Sequence, residues 1–430
     1  MRILWASHII PYPPKSGVHL RSYNLLRGVA ARHDVDLIAF IQEPWLDVFY
    51  SSRREGLEEC AHELGKLCRS VRFLPIDNLK RAGGKLRTAA EGFLYPTSYT
   101  IRWLQSAQAH AAFAEAARRV PYSLVHFDTI GLAPFRAHFP GTPASLGHHN
   151  IESHMLSRRG ENEGNIAKRL YFLREGARVR RYEARMAGEF DLHITCSELD
   201  CARLREVAPS AHAIAVPNGV DTEYFQPAPS DSSVRSIIFV GSLNWYPNID
   251  AVQFLLREVW PEAKARHPDL RLDIVGSAPP SSVLSVAADL KDVRVHGFVD
   301  DVRPLMNAAT LYVCPIRDGG GTKLKLLDAF AMEKCVIAHP VACEGIDVSP
   351  GVNVQFADSA EAFVDAIDRL LSDTAKRFEM GRAARSLVVE SYAFSQIGRQ
   401  LCDLFESTAE AAQKPGSVLT QHPDIEIGNR

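Results

Sequence analysis

Residues 215–233 read AVPNGVDTEYFQPAPSDSS, and what lies on either side of them decides the fold. Proline, asparagine, glycine and serine are concentrated here, and each interrupts a helix or strand, so the stretch reads as a linker. Before it, short apolar runs alternate with longer amphipathic ones. RILWAS (2–7), DVDLIAF (34–40), SLVHF (123–127), ASLGHH (144–149) and DLHITCS (191–197) have the length and apolar continuity of strands covered on both faces. LRSYNLLRGVAARH and AHAAFAEAARRV carry apolar residues at helical spacing between them. After the linker the alternation restarts with SIIFVGS (236–242), LRLDIVGS (270–277), DVRVHGFV (292–299), TLYVCPI (310–316) and KCVIAHP (334–340). Helical stretches such as IDAVQFLLREVWPEAKARH and AEAFVDAIDRLLSD separate these runs.

Two runs of this kind predict an α/β protein of two Rossmann-like, doubly wound domains of similar size. The expected division is a first domain over 1–215 and a second over 216–392. A helix over 393–412 should pack back on the first domain, followed by a mobile tail, 413–430, without usable periodicity. Ligands of such sheets sit beyond the carboxyl ends of the strands, so the cleft between the domains is the expected site.

Bulk properties narrow the classes of function. The 430 residues are 46% hydrophobic and 23% charged, with a formal net charge of -2, which leaves no overall field for nucleic acid. Any attraction to anions must be local. The eight cysteines show no CxxC spacing and read as free thiols of a reducing compartment. No run of about 18 apolar residues exists, and MRILWASHIIPYPP is too short and proline-broken for a signal peptide. A cytoplasmic protein is expected. The segment 79–104 places Lys80, Arg81, Lys85 and Arg87 among aromatic residues, and it reads either as a solvated face or as a peripheral contact with an anionic membrane.

The chemistry concentrates in PIRDGGGTKLKLLDAF (315–330). A helix beginning near Thr322 would offer unpaired backbone N–H groups and a partial positive charge, and Gly319, Gly320 and Gly321 would admit a ligand close to the backbone. Phosphate is the natural guest, with Lys323 and Lys325 within reach. Thr322, Lys325 and Asp328 fall three apart on one face, and Asp328 lies about 9 Å beyond Thr322 along the axis. That offset suits a carboxylate accepting from ribose hydroxyls while the diphosphate sits at the helix start. The same residues also read as a flexible turn with solvated lysines and an Asp328–Lys325 surface pair.

Five stretches together carry a resemblance: PPKSG (13–17), HHNIES (148–153), VPNGVDTEYFQP (216–227), FVGSLNWYPNIDAV (239–252) and GTKLKLLDAFAMEKCVIAHPVACEGI (321–346). Over roughly residues 1–410 the chain resembles the family-4 retaining glycosyltransferases of the GT-B fold, and most closely a bacterial branch linked to exopolysaccharide assembly. The resemblance implies sugar transfer from a nucleotide-diphosphate donor, UDP- or GDP-linked, to a glycan or lipid-linked acceptor, with retention and without a cofactor or obligatory metal. It implies donor contacts at Gly17, Gly241, Gly320, Gly321, Thr322, Lys323, Lys325 and Asp328, and catalytic roles for His149 and Asp318. The family has two glutamates eight residues apart: the second matches Asp328, while the first falls at Gly320, with Asp318 two residues away as the substitute carboxylate. The arginine and lysine that usually follow the FVG strand are replaced by Ser242 and the NWYPN turn, so Lys325, ahead of Lys323, is expected to supply the charge. Two rivals share the architecture: a sugar-nucleotide epimerase, which would need no acceptor, and a non-catalytic nucleotide-sugar-binding protein.

Overall fold

The computed structural model describes residues 1–76, 97–228, 235–319 and 322–413. Among them are two wholly parallel sheets. The first takes β1 (Arg2–Ser7), β2 (Asp34–Phe40), β3 (Ser70–Leu74), β4 (Leu124–Phe127), β5 (Ala144–Gly147), β6 (Leu192–Thr195) and β7 (Ala213–Ala215) in the order 3-2-1-4-5-6-7. The second takes β8 (Ser236–Val240), β9 (Arg271–Val275), β10 (Val293–Gly297), β11 (Leu311–Cys314), β12 (Val336–Ala338) and β13 (Gln355–Phe356) in the order 10-9-8-11-12-13. Strand order reverses between β1 and β4 in one sheet and between β8 and β11 in the other. Those crevices are where such sheets hold ligands.

The strands read from the sequence are the central ones, buried along most of their length, and the edge strand β10. Three strands escape that reading, β3, β7 and β13, and all three lie at sheet edges. An edge strand is covered on fewer sides, so its sequence keeps polar residues such as Ser70 and Arg72 and loses the continuous apolar signature.

The helices that bear on the site are α1 (Gly17–Ala30), α2 (Glu43–Phe49), α3 (Glu152–Glu161), α4 (Ile166–Met186), α5 (Glu198–Val207), α6 (Tyr246–Phe254), α7 (Leu324–Ala331) and α8 (Phe394–Gln413). The chain after α6 stays helical through a π-turn at Leu255–Val259 and a further helix at Trp260–Arg266. Pro261 explains the irregular turn, because it cannot donate a backbone bond.

Ile397, Leu401 and Phe405 of α8 belong to the same apolar core as Ile3, Trp5, Leu25 and Val29 of the first domain. The docking is close because Gly28 of α1 faces Gly398 of α8: a Cβ built on Gly28 would lie 2.7 Å from the Gly398 Cα. The linker is held beside this crossing. Arg21 donates to the carbonyls of Val216 and Pro217, at 2.8 and 3.0 Å, and to Asn218 Oδ1 at 2.9 Å. Val220 and Phe394 complete it, with Val220 N–H donating to the Tyr392 carbonyl and Phe394 N–H to that of Val220. The PNGVD motif thus binds the two chain crossings between domains together.

All eight cysteines are buried and unpaired. Among the described residues, no helix is long and apolar enough to cross a membrane. Lys80, Arg81, Lys85 and Arg87 lie outside the described residues, as does the tail beyond 413. The end of the 79–104 segment is described, and there Ile101 and Leu104 are buried in the first domain's core instead of facing outward.

Candidate active site in the cleft

Three side chains converge at the β1/β4 crevice because each follows the end of a central strand: His8 after β1, Asp128 after β4 and His149 after β5. Asp128 is buried and accepts from Ser22 Oγ at 2.7 Å, from Ser7 Oγ at 3.2 Å and from His149 Nε2 at 3.1 Å. Burial alone would raise its pKa, but His149, His8 and His126 around it hold the carboxyl well below its usual range. The same burial, with His149 nearby, keeps His8 neutral, its pKa lowered to about 4. His8 Nδ1 is buried without a hydrogen-bond partner, 3.9 Å from Asp128 Oδ2.

This arrangement fixes His149 by an ionised carboxylate and leaves the imidazole at the cleft floor. The ligand atoms of His8, Asp128 and His149 all lie within 4.8 Å of one another, so the trio also has the composition and spacing to take a divalent cation. His148 points the other way, its Nε2 3.0 Å from His193 Nδ1. Alternation at a strand end puts the two neighbours on opposite faces.

Across the cleft, α7 begins at Leu324, two residues later than the sequence suggests. Thr322 therefore precedes the helix instead of sharing a face with Lys325 and Asp328, and its Oγ1 is buried without a partner. A glycine Cβ at 345 would sit 2.9 Å from that hydroxyl and 3.2 Å from Ser197 Cβ of the first domain, so Thr322 lies where the domains meet. Gly17, which opens α1, faces α7 directly: its Cβ would lie 3.4 Å from Leu324 Cδ1. Gly320 and Gly321 lie outside the described residues.

The surface pair between Asp328 and Lys325 does not form. Lys325 Nζ instead donates to Asn248 Oδ1 at 2.5 Å, and Asn248 Nδ2 donates to the Ser242 carbonyl at 2.7 Å. The ammonium hangs over the loop after β8 so closely that a Cβ on Gly241 would lie 2.5 Å from it. A side chain at 241 would displace the ammonium. Charge therefore reaches the FVG loop from α7, through Asn248 of the NWYPN turn. Burial lowers the Lys325 pKa to about 8. Lys323 turns back, donating to the Gly319 carbonyl at 3.0 Å. Asp328 Oδ1 is buried without a hydrogen-bond partner, and burial raises its pKa to about 7 although Lys325 opposes the shift. An unpartnered carboxylate oxygen in such a place is costly.

Asp318 has a full set of partners. It accepts from Arg158 Nε at 3.2 Å, from Tyr246 Oη at 3.1 Å, from Asn162 Nδ2 at 3.3 Å and from its neighbour Gly319 N–H at 2.7 Å. Arg158 and Asn162 belong to the first domain, so Asp318 bridges the cleft. Glu344 does the same, with Arg158 at 3.9 Å and Arg203 of α5 at 3.8 Å. Composition and spacing gave no sign of these cross-domain arginines, since nothing local distinguishes them. His8 and Asp128 did carry a signal: each is the first polar residue past a buried central strand.

Residues 234–373 match the family model for glycosyl transferases group 1. This match and the relatives support a family-4-like glycosyltransferase. Of its relatives, an uncharacterized 44.6 kDa protein in the cps region of Klebsiella pneumoniae is 20% identical over 401 residues, 91% of this chain and 96% of that one. The phosphatidyl-myo-inositol mannosyltransferase of Mycolicibacterium smegmatis is 27% identical over 246 residues, 55% of this chain and 61% of the mycobacterial protein. The crystal structure of Anabaena HepE in complex with UDP superposes with a TM-score of 0.65 at 16% identity, covering 95% of this chain and all of the other. The glycosyltransferase thus has the GT-B architecture, its second domain carrying the group 1 match.

Proposed function

We propose that this glycosyltransferase moves a sugar, with retention, from a nucleotide-diphosphate sugar to a glycan or lipid-linked acceptor in the synthesis of a cell-surface or exported polysaccharide. The carrying observation is the pairing of Lys325 over the Gly241 loop with an orphaned Asp328 one turn further along α7. Asp328 accepts from the ribose hydroxyls, Lys325 neutralises the diphosphate, and Thr322 and the backbone ahead of α7 complete the phosphate cradle. Gly17 lets backbone approach it. His149, held by Asp128, faces the donor sugar and the departing phosphate. Asp318 and Glu344 hold the cleft closed through Arg158 and Arg203.

In this reading the leaving diphosphate takes the acceptor's proton on the face it vacates, and the protein's contribution is positioning and charge stabilisation. Transfer proceeds without a bound metal. The UDP bound by HepE and the cps-region setting of the Klebsiella relative favour this substrate class.

Calorimetric titration with UDP, GDP, ADP and dTDP, with and without magnesium, tests it. One diphosphate should bind selectively and independently of magnesium, and Asp328→Ala should lose about 1.5–3 kcal/mol of that binding. Lys325→Ala should weaken the nucleoside diphosphate far more than the nucleoside. Equal binding by both variants and wild type would place the donor elsewhere.

A further inference from the structure

Helix α4 turns its charges inside out. Its 21 residues, about 31 Å at 1.5 Å per residue, contain two acids, Glu175 and Glu183, and both are buried. Glu175 accepts from Ser98 Oγ at 2.7 Å, Tyr99 N–H at 2.9 Å and Arg178 at 2.6 Å, and Glu183 accepts from Ser153 N–H at 3.3 Å. The opposite face carries Arg169, Arg174, Arg180, Arg181 and Arg185, all exposed. None of these cations lies within ion-pair distance of a carboxylate among the described residues.

Apolar side chains run along the middle of that basic face. At 100° per residue, Ile166, Leu170, Ala177 and Ala184 fall within one narrow stripe, with Arg169 and Arg180 on one flank and Arg174, Arg181 and Arg185 on the other. Ile166 is 76% exposed and Leu170 58%. Water is a poor environment for this stripe, and an isolated soluble helix would alternate signs of charge on its outer face instead. The flank toward α3 is fixed by close glycine contacts: a Cβ on Gly160 would meet Leu173 at 2.9 Å, and one on Gly176 would meet Ser157 Oγ at 2.8 Å. The helix therefore cannot roll over to hide its outer face.

We propose that the outer face of α4 is a docking surface for an anionic lipid bilayer. The arginines meet lipid phosphates while Ile166 and Leu170 enter the headgroup–acyl boundary, the division of labour of an interfacial amphipathic helix. Polyanions without an apolar phase would satisfy the cations and leave Ile166 and Leu170 in water. The leading end of α4 also lies beside the cleft, since Asn162, in the turn from α3, reaches Asp318 of the second domain. A bilayer on this face would present its surface next to the place where an acceptor enters.

Co-flotation with phosphatidylcholine vesicles, with and without phosphatidylglycerol and without any nucleotide, tests the assignment. It is separable from the donor reading, which is measured in solution without lipid. The wild-type chain should float with the anionic vesicles only, and high salt should release it. Arg174→Glu/Arg181→Glu and Ile166→Ser/Leu170→Ser should each weaken anionic-vesicle binding about tenfold or more, with melting temperatures unchanged from wild type. Three results would overturn the proposal: no flotation of wild type; flotation of both variants like wild type, which would move the contact elsewhere, for instance to 79–104; or retention on heparin with no vesicle binding, which would mean a soluble polyanion.

Discussion

Asp328 is half-buried, with Oδ1 itself buried and unpartnered and a pKa raised by burial from 3.8 to about 7, and this has a consequence for stability as well as for binding. Unfolded, the group ionises near 3.8; folded, it keeps its proton until about 7. Its favourable contribution is therefore complete below the lower value and is lost as pH rises through the higher one. Asp328→Asn removes the titration, so the variant should melt like wild type near pH 4 and above it at pH 8. The difference should be no more than ~4 kcal/mol, reduced by the residue's partial access to water. Calorimetric melting across pH measures it, and a variant less stable than wild type at pH 8 would contradict a costly buried carboxylate. Nucleotide should then raise the wild-type melting temperature more than the variant's. A second residue-scale expectation concerns Asp128, which holds His149. Asp128→Asn should lower kcat by about 10–100-fold with little change in donor KM, because it disturbs orientation and not contact with the donor. At this scale the sequence pointed to Lys325, Asp328 and His149 as candidates through motif and spacing. It left Asp128 and His8 unread, because a lone polar residue after a strand becomes a site only when neighbouring strands bring others beside it.

Among the elements, the docking of α8 on α1 depends on two glycines 370 positions apart in the chain. Gly398→Val would drive a side chain into the Gly28 backbone, so the helices must separate. We expect a loss of about 1–3 kcal/mol in denaturant unfolding. Gly65→Ala is the control: nothing lies within 4 Å of its Cβ, so it should be neutral or stabilising by up to ~1 kcal/mol. Equal effects from both would mean that the close approach carries no weight. Central strands and long amphipathic helices were readable because burial imposes their period directly. The edge strands β3, β7 and β13 were not, and neither was the start of α7. There, the chain stays non-helical through Thr322, which packs against the Gly345 loop, a contact that no local propensity records.

At the scale of the whole molecule, closure of the cleft rests on Arg158 and Arg203 reaching Asp318 and Glu344. These pairs are partly exposed, so each contributes roughly 0.2–1 kcal/mol, and closure should be a balanced equilibrium. Arg158→Ala/Arg203→Ala should shift the molecule toward an open form by ~1–2 kcal/mol, seen as a larger radius of gyration in small-angle scattering. Saturating nucleoside diphosphate should partly reverse the expansion. No change in radius would mean that apolar contacts such as Gly17 against Leu324 hold the domains without the ion pairs.

The sequence by itself determined two doubly wound units, the linker between them and the helix that carries the lysines and Asp328. These follow from periodicity and from the intrinsic preferences of glycine, proline and asparagine, which act over a few residues. Tertiary structure decided which charges meet. It turned Lys325 from Asp328 to Asn248, gave Asp318 to Arg158 of the other domain, gathered His8, Asp128 and His149 at one crevice, and left α4 with its acids inside and its arginines outside. The physical reason is the range of the forces involved. Backbone preference is local, whereas the partner of a buried charge is set by whichever distant segment the packing of the sheets brings within a few ångströms.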